Sequence, residues 1–257
     1  MRSEEELVME QKREDGRKRR RERLESDGLD SCRWCYANLQ RFKVKHLVVA
    51  LGETWYLSLP HTVEKVQGQC YLAPIDHESA AAIAEGGPLQ KEITKWKDNL
   101  ARFFFEKEKK EVLFTETALL RHSMPHHLRI ECFPLQRRDA EVAPSFFRQA
   151  ILDTANEWSE NPRLVEYLTE SGKPVPIVQK FSYFSVEFGR AGGFIHIIEN
   201  EGRFDLQFGQ SVIASILSLS PPSQRPQRHR PEIEFQLMKN FAGRFEPYNW
   251  TRELVEP

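Results

Sequence analysis

Cys32 and Cys35 stand in a Cys-x-x-Cys spacing, which lets two thiolates share one metal ion. The same spacing suits a redox pair or two reduced thiols packed at the start of a strand. Two more donors are available in His77, closing Pro74-Ile75-Asp76-His77, and His127, opening His127-Leu128-Arg129-Ile130-Glu131. Two thiolates and two imidazoles complete a closed tetrahedral set, a structural rather than a catalytic zinc (Zn2+) geometry. In the alternative, the cysteines stay reduced near the strand start and His77 is a surface residue. Four cysteines in 257 residues are too few for a secreted disulfide scaffold.

Period-two alternation around His127 sends His127, Arg129 and Glu131 to one face of a strand and Leu128, Ile130 and Cys132 to the other. Arg129 offers a planar fork of donors for a phosphate. His126 falls on the apolar side or at the strand start and reads as structural. Further candidate phosphate contacts are Arg137, Arg138, Arg148 and the cluster Arg225, Arg228, His229 and Arg230. The basic run Lys12 to Arg23, which includes Arg19 and Arg20, joins them. Solvated surface arginine is the competing reading for every one. His196, between Phe194 and Ile198, reads as a core histidine, and Gly192-Gly193 allows a close backbone approach to RNA or to a neighbouring strand.

The elements that must position these groups follow from the pattern. Alternation predicts strands over 43–52, 55–59 and 68–74, then 111–117 and 127–135. Helical spacing over 78–107, broken by Gly86-Gly87-Pro88, predicts a short helix followed by a long one. Further along, 144–159 reads as a helix with Pro144 in its first turn, 181–189 and 193–199 as strands, 210–219 and 232–245 as helices. Pro221 to Pro231 is a proline-rich basic loop. The whole is an α+β arrangement: an antiparallel sheet covered by helices, then a second, smaller α+β unit. Residues 1–29 form a basic arm, disordered or helical, with 30–135 and 136–257 as the two domains.

Lys plus Arg (37) nearly balance Asp plus Glu (38), so nucleic-acid contact must come from local charge rather than a global field. The apolar content of 40% supplies a core. The longest apolar stretches fall well short of the roughly 18–20 residues of a membrane span, and the charged N-terminus is unlike a signal peptide. The chain reads as a soluble intracellular protein with no membrane partner.

The ordered string Cys-x-x-Cys, Tyr-Leu-x-Leu-Pro, Gly-x-x-x-Leu-x-Pro-x-x-His, His-x-x-Ile-Glu-Cys-x-Pro, Ala-Pro-x-Phe-Phe, Tyr-Phe-Ser-Val-x-Phe-Gly, Gly-Gly-Phe-x-His-x-Ile-Glu and a terminal Trp-Thr resembles the CwfJ C-terminal family. It runs from Cys32 to about Thr251. The resemblance implies two consecutive domains, the first similar to the histidine-triad hydrolase fold. It implies a nuclear spliceosome-associated protein and links to late complexes that hold the intron lariat, to lariat debranching and to disassembly. Partners on this view are splicing proteins, snRNA or intron RNA, the debranching enzyme and a DEAH-box helicase. Active histidine-triad members carry alternating histidines on this strand, the second acting as nucleophile. Aligned on Pro134, His127 takes the first place, Arg129 the nucleophile's and Glu131 the third. Arginine stays protonated and cannot attack phosphorus, and Gln69 stands where that fold usually has histidine. The expected protein is therefore a non-catalytic pseudo-enzyme. The rival readings are a nucleotide or RNA phosphodiester hydrolase using His127 or His122, and a pure protein-protein module.

Overall fold

The computed structural model describes residues 29–83, 86–120, 126–154, 164–168, 173, 175–189, 191–223 and 227–254. Among these residues eight strands form one antiparallel sheet: β1 (Val48–Leu51), β2 (Trp55–Ser58), β3 (Cys70–Pro74), β4 (Lys110–Ala118), β5 (Ile130–Gln136), β6 (Val165–Tyr167), β7 (Tyr183–Phe188) and β8 (Gly193–Ile197). Their order across the sheet is β1-β2-β3-β5-β4-β7-β8-β6. The chain is α+β, and β4 pairs with β7 from Leu113–Phe188 to Ala118–Tyr183, so strands from both sequence halves share one sheet.

Helices cover both faces. α1 (Pro88–Phe103) starts with proline in its first turn, where a missing N–H costs nothing, and buries Ile93, Trp96, Leu100 and Phe103 along one stripe. That stripe and Phe241 and Phe245 of α5 (Pro231–Phe245) pack on Leu72, Phe114, Ile130 and Cys132. On the other face, Phe147 and Ile151 of α2 (Arg137–Thr154) and Val212 and Ile213 of α4 (Phe208–Ile216) pack on Leu113, Phe133, Leu135 and Phe184.

Several expected boundaries move. The strand over 43–52 shrinks to β1, because Lys43 takes a left-handed conformation and Lys45–Leu47 form a tight 3-10 turn. The strand over 127–135 begins only at Ile130, the first residue of the segment with partners on β3 and β4. α2 begins at Arg137, which puts Pro144 inside the helix. Ala143, Phe147 and Ile151 form a continuous buried face there, and their packing outweighs the one backbone hydrogen bond proline removes. Two short elements lay outside the pattern: β6, three residues on the sheet edge, and α3 (Val175–Lys180). The arm with Arg19 and Arg20, His122, Arg225 and residues 155–159 lie outside the described residues.

The glycine pair serves strand packing. A Cβ on Gly193 would sit 2.2 Å from the Val186 carbonyl oxygen, and one on Gly192 (φ +121°) 2.2 Å from that of Tyr167. Gly193→Ala is expected to cost about 2–4 kcal/mol in urea unfolding, because backbone atoms of β7 must move. A loss under about 0.5 kcal/mol would mean that the strands separate freely. His196 is buried with its ring against Phe204, as a core residue.

Candidate metal centre and the arginine face

The segment 32–35 enters a tight turn, Tyr36–Asn38, whose Tyr36 N–H donates to the Ile75 carbonyl at 3.0 Å. That bond sets the cysteine loop against the end of β3, two residues before His77. His127 arrives from the extended segment before β5. One donor atom from each of Cys32, Cys35, His77 and His127 lies within 4.8 Å of the others. His127 Nδ1 is 3.4 Å from Cys32 Sγ and 3.5 Å from Cys35 Sγ, and His77 Nδ1 is 3.4 Å from Cys35 Sγ. A tetrahedral zinc with bonds of 2.0–2.3 Å has donor-donor edges of about 3.3–3.8 Å, so the spacing fits one ion.

The outer contacts fit as well. His127 Nε2 lies 3.1 Å from the Pro74 carbonyl oxygen and donates to it, a bond that aims Nδ1 at the sulfurs as the nitrogen that would bind the ion. Trp34 N–H donates to Cys32 Sγ at 3.4 Å. Burial opposes ionisation of Cys32, but hydrogen bonds from His127 and His77, the charge near His127 and the Trp34 N–H outweigh it and lower its pKa to about 5. Burial and the neighbouring Cys32 thiolate push Cys35 up to about 12. The two shifts run in opposite directions, so Cys32 ionises before Cys35. All four sequence candidates thus converge, and the donor set suits a closed structural site.

Arg129 and Glu131 share the sheet face covered by α2 and α4. Arg129 Nε is 3.5 Å from Glu131 Oε1, and its guanidinium lies 5.1 Å from the centre of the Trp34 ring. Gln210 of α4 donates to Glu131 Oε2 at 2.9 Å. Burial pushes Glu131 above the usual carboxylate range against the pull of Arg129 and Gln210. Gln69 accepts from the Lys65 N–H at 3.1 Å, so its amide holds the loop before β3.

Three residues the sequence did not single out complete this face. His61 stacks on Trp34, with centroids 4.5 Å apart, and Tyr71 packs against the same indole. Burial first, then the cations Arg228, Arg129 and Arg33, lower His61 to about 4, which keeps the imidazole neutral at neutral pH. The available signal was the Leu-Pro-His turn directly after β2; the stack itself depends on a contact 27 positions away in sequence, Trp34 to His61.

The outlying arginines differ in availability. Arg137 and Arg138 are exposed, their side chains 80% and 86% accessible. Arg148 pairs with Glu166 at 2.7 Å, and Arg230 is exposed just before α5. Arg228 is committed: its guanidinium donates to both oxygens of Glu234 at 3.1–3.2 Å, and His46 meets the same buried carboxylate at 2.7 Å. It fastens the proline-rich loop to α5.

The sequence matches the family model described as "Protein similar to CwfJ C-terminal" over residues 18–148 and "Protein similar to CwfJ C-terminus 2" over 157–251. The chain belongs to the CwfJ C-terminal family. It is 34% identical over 229 residues to "CWF19-like protein 2" of Mus musculus, covering 87% of this chain and 25% of that protein. It is 28% identical over 239 residues to "Pre-mRNA-splicing factor cwf19" of Schizosaccharomyces pombe, covering 89% of this chain and 36% of that protein. The "CWF19-like protein 2 homolog" of Caenorhabditis elegans is 28% identical over 228 residues, 88% of this chain and 48% of that protein. The chain therefore spans between about a quarter and half of these relatives. Among the described residues, no helix is long and apolar enough to cross a membrane.

Proposed function

We propose that the chain is a non-catalytic splicing factor module, held together by one structural zinc and binding RNA and splicing proteins by its arginine-bearing surfaces. Membership of the CwfJ C-terminal family and a relative named as a pre-mRNA-splicing factor support the splicing role. On this reading it works in the nucleus, on late complexes holding the intron lariat, beside the debranching enzyme and a DEAH-box disassembly helicase. Cys32, Cys35, His77 and His127 would hold the zinc, which supplies folding free energy rather than chemistry.

The observation that carries the non-catalytic reading is Arg129. On the histidine-triad alignment the nucleophile's position falls to Arg129, a permanently protonated guanidinium that is paired with Glu131 and lies over Trp34. His127 cannot substitute, because Nδ1 faces the cysteine sulfurs and Nε2 faces the Pro74 carbonyl. The expected result is no turnover of nucleoside phosphoramidates, dinucleoside polyphosphates or capped nucleotides. Turnover that survives contaminant controls and vanishes in folded His61→Ala, His122→Ala or His127→Ala protein would restore the hydrolase reading.

RNA affinity is expected to come from separate local charges. Each phosphate neutralised adds about 0.7 to the salt slope for single strands. Arg129→Ala and the double variant Arg137→Ala/Arg138→Ala should each weaken binding and flatten that slope, with little sequence preference. Arg228→Ala should act on stability instead, since it strips Glu234 of its guanidinium. Unchanged affinity and slope in both arginine variants would leave the module as a protein-protein scaffold, and crosslinking in purified complexes would then give no RNA adducts on these residues.

A further inference from the structure

On the face opposite Arg129, between α1, α3 and strands β4 and β7, lies a cavity of about 200 Å³. For scale, a cavity of about 150 Å³ accepts a benzene ring. Its apolar wall includes Ile93, Phe114, Ile130 and Val178. Thr94, Asp98 and Gln179, all exposed, stand at its rim.

The polar wall is unusual for a core. Lys97 Nζ meets Glu187 at 2.6 Å, and Lys173 pairs with Glu116, which also accepts from the Tyr183 hydroxyl. Burial alone would favour a neutral Glu116, but Lys173, Tyr183 and Lys97 hold it below the usual carboxylate range. Burial opposes the charge on Lys97, yet Glu187 raises its pKa. Burial pulls the Lys173 pKa down against the pull of Glu116, and each lysine faces one carboxylate, so the two pairs together carry no net charge. Each ammonium has three donors, more than its one carboxylate partner uses. The Tyr167 hydroxyl, in the same lining, is buried without a hydrogen-bond partner among the described residues. An unsatisfied buried hydroxyl costs about 1–3 kcal/mol, a cost that a bound polar group would remove.

We propose that this cavity binds one neutral heteroaromatic ring of the nucleobase class. Three observations select that class. The volume admits a ring system. Phe114, Tyr167 and Tyr183 make part of the wall aromatic, with Lys97 Nζ 5.3 Å from the centre of the Phe114 ring and Lys173 Nζ 5.4 Å from that of Tyr183. The donors of Lys97 and Lys173, the carboxylate of Glu187 and the Tyr167 hydroxyl together match an edge that carries both acceptors and donors. Net charge on the ligand is selected against, because a fifth charge in a balanced, buried set has no counterpart. The ring can come from a free nucleoside or from a base turned out of an RNA strand; the chemistry recognised is the same. The site is independent of the Arg129 face, so it stands or falls separately from the function proposed above.

Saturation-transfer NMR on the full chain with adenosine, guanosine, cytidine and uridine tests it. At least one nucleoside should bind saturably, and benzoate and benzylamine, charged rings of similar size, should bind at least tenfold more weakly. Ala101→Phe fills the cavity from α1, and Thr94→Trp covers its mouth from an exposed position that leaves the core intact. Both should weaken binding at least tenfold, and Arg129→Ala should leave it unchanged. A short RNA that binds better than its abasic counterpart assigns a base within a strand; equal binding of the two, with a nucleoside still saturable, assigns the free molecule. No saturable binding by any nucleoside at millimolar concentration, charged rings binding as well as nucleosides, or binding unaffected by Thr94→Trp would overturn the assignment.

Discussion

Purified chain is expected to carry one zinc per molecule, and stripping it should unfold the region around the Cys32 loop. The loop has few alternatives for stability. It is anchored by the Tyr36–Ile75 backbone bond and the Tyr56 hydroxyl, which donates to the Trp34 carbonyl at 2.7 Å, but its own buried groups are donors to a metal. Without the ion, the four donor atoms crowd within 4.8 Å while two of them compete for one proton. Cys35→Ser or His127→Ala should lower stability by several kcal/mol, on the order of 3–5 kcal/mol, since zinc binding free energy becomes folding free energy. The pKa values set the sign of a second observable. With Cys32 near 5 and Cys35 near 12, zinc at neutral pH must displace a proton from Cys35 but not from Cys32. Calorimetry in buffers of different ionisation enthalpy should therefore find net proton release on zinc binding, with Cys35 supplying one of the protons, and affinity should rise with pH through the neutral range. Less than about a tenth of an equivalent of metal, with wild-type stability unchanged by chelator, would reject the site.

The convergence of those four residues was legible because each has a chemistry few other roles use, and because alternation around His127 fixed its direction. The faces assigned to Arg129 and Glu131 on one side and Ile130 and Cys132 on the other were legible for the same reason, although the paired strand starts later than the pattern suggested. What stayed hidden was anything built from contacts across the sheet. Lys97, Glu187, Lys173 and Glu116 look like solvated charges in a helix, two strands and a loop, and only the register Phe114–Glu187 and Glu116–Ser185 turns the carboxylates inward together. Arg228 reads as one more basic residue of a proline-rich loop, and only the fold shows that Glu234 takes up its guanidinium. Pro144 misled for a local reason: proline in a first turn is the better prior, and here the buried face of Ala143, Phe147 and Ile151 carries the helix through it.

Glu92 is the hidden residue on which the largest remaining effect is expected. Its carboxylate is buried at the start of α1 and receives the Thr54 N–H at 2.7 Å, the Thr54 hydroxyl at 2.5 Å, the Trp55 N–H at 3.3 Å and the Trp96 indole N–H at 3.1 Å. The carboxylate thus closes the β1–β2 turn onto the helix, and the order continues toward the cysteines. Thr54 accepts from the Ile75 N–H at 2.8 Å, and Ile75 in turn accepts from the Tyr36 N–H at 3.0 Å. Glu92→Ala removes every acceptor at once and leaves donors buried that each cost about 1–3 kcal/mol when unmade, so a loss of about 3–5 kcal/mol is expected after partial relaxation. Glu92→Gln keeps the shape but replaces one acceptor oxygen with a donor facing donors, and should fall between. Because the chain of bonds ends at the cysteine loop, both variants should also weaken zinc binding in competition with a chelator, Glu92→Ala more than Glu92→Gln, while a cavity variant at a similar stability cost, such as Phe147→Ala on the other sheet face, should not. Equal zinc affinity in Glu92→Ala and the wild type, with the stability loss present, would show that the β1–β2 turn and the metal loop are held independently.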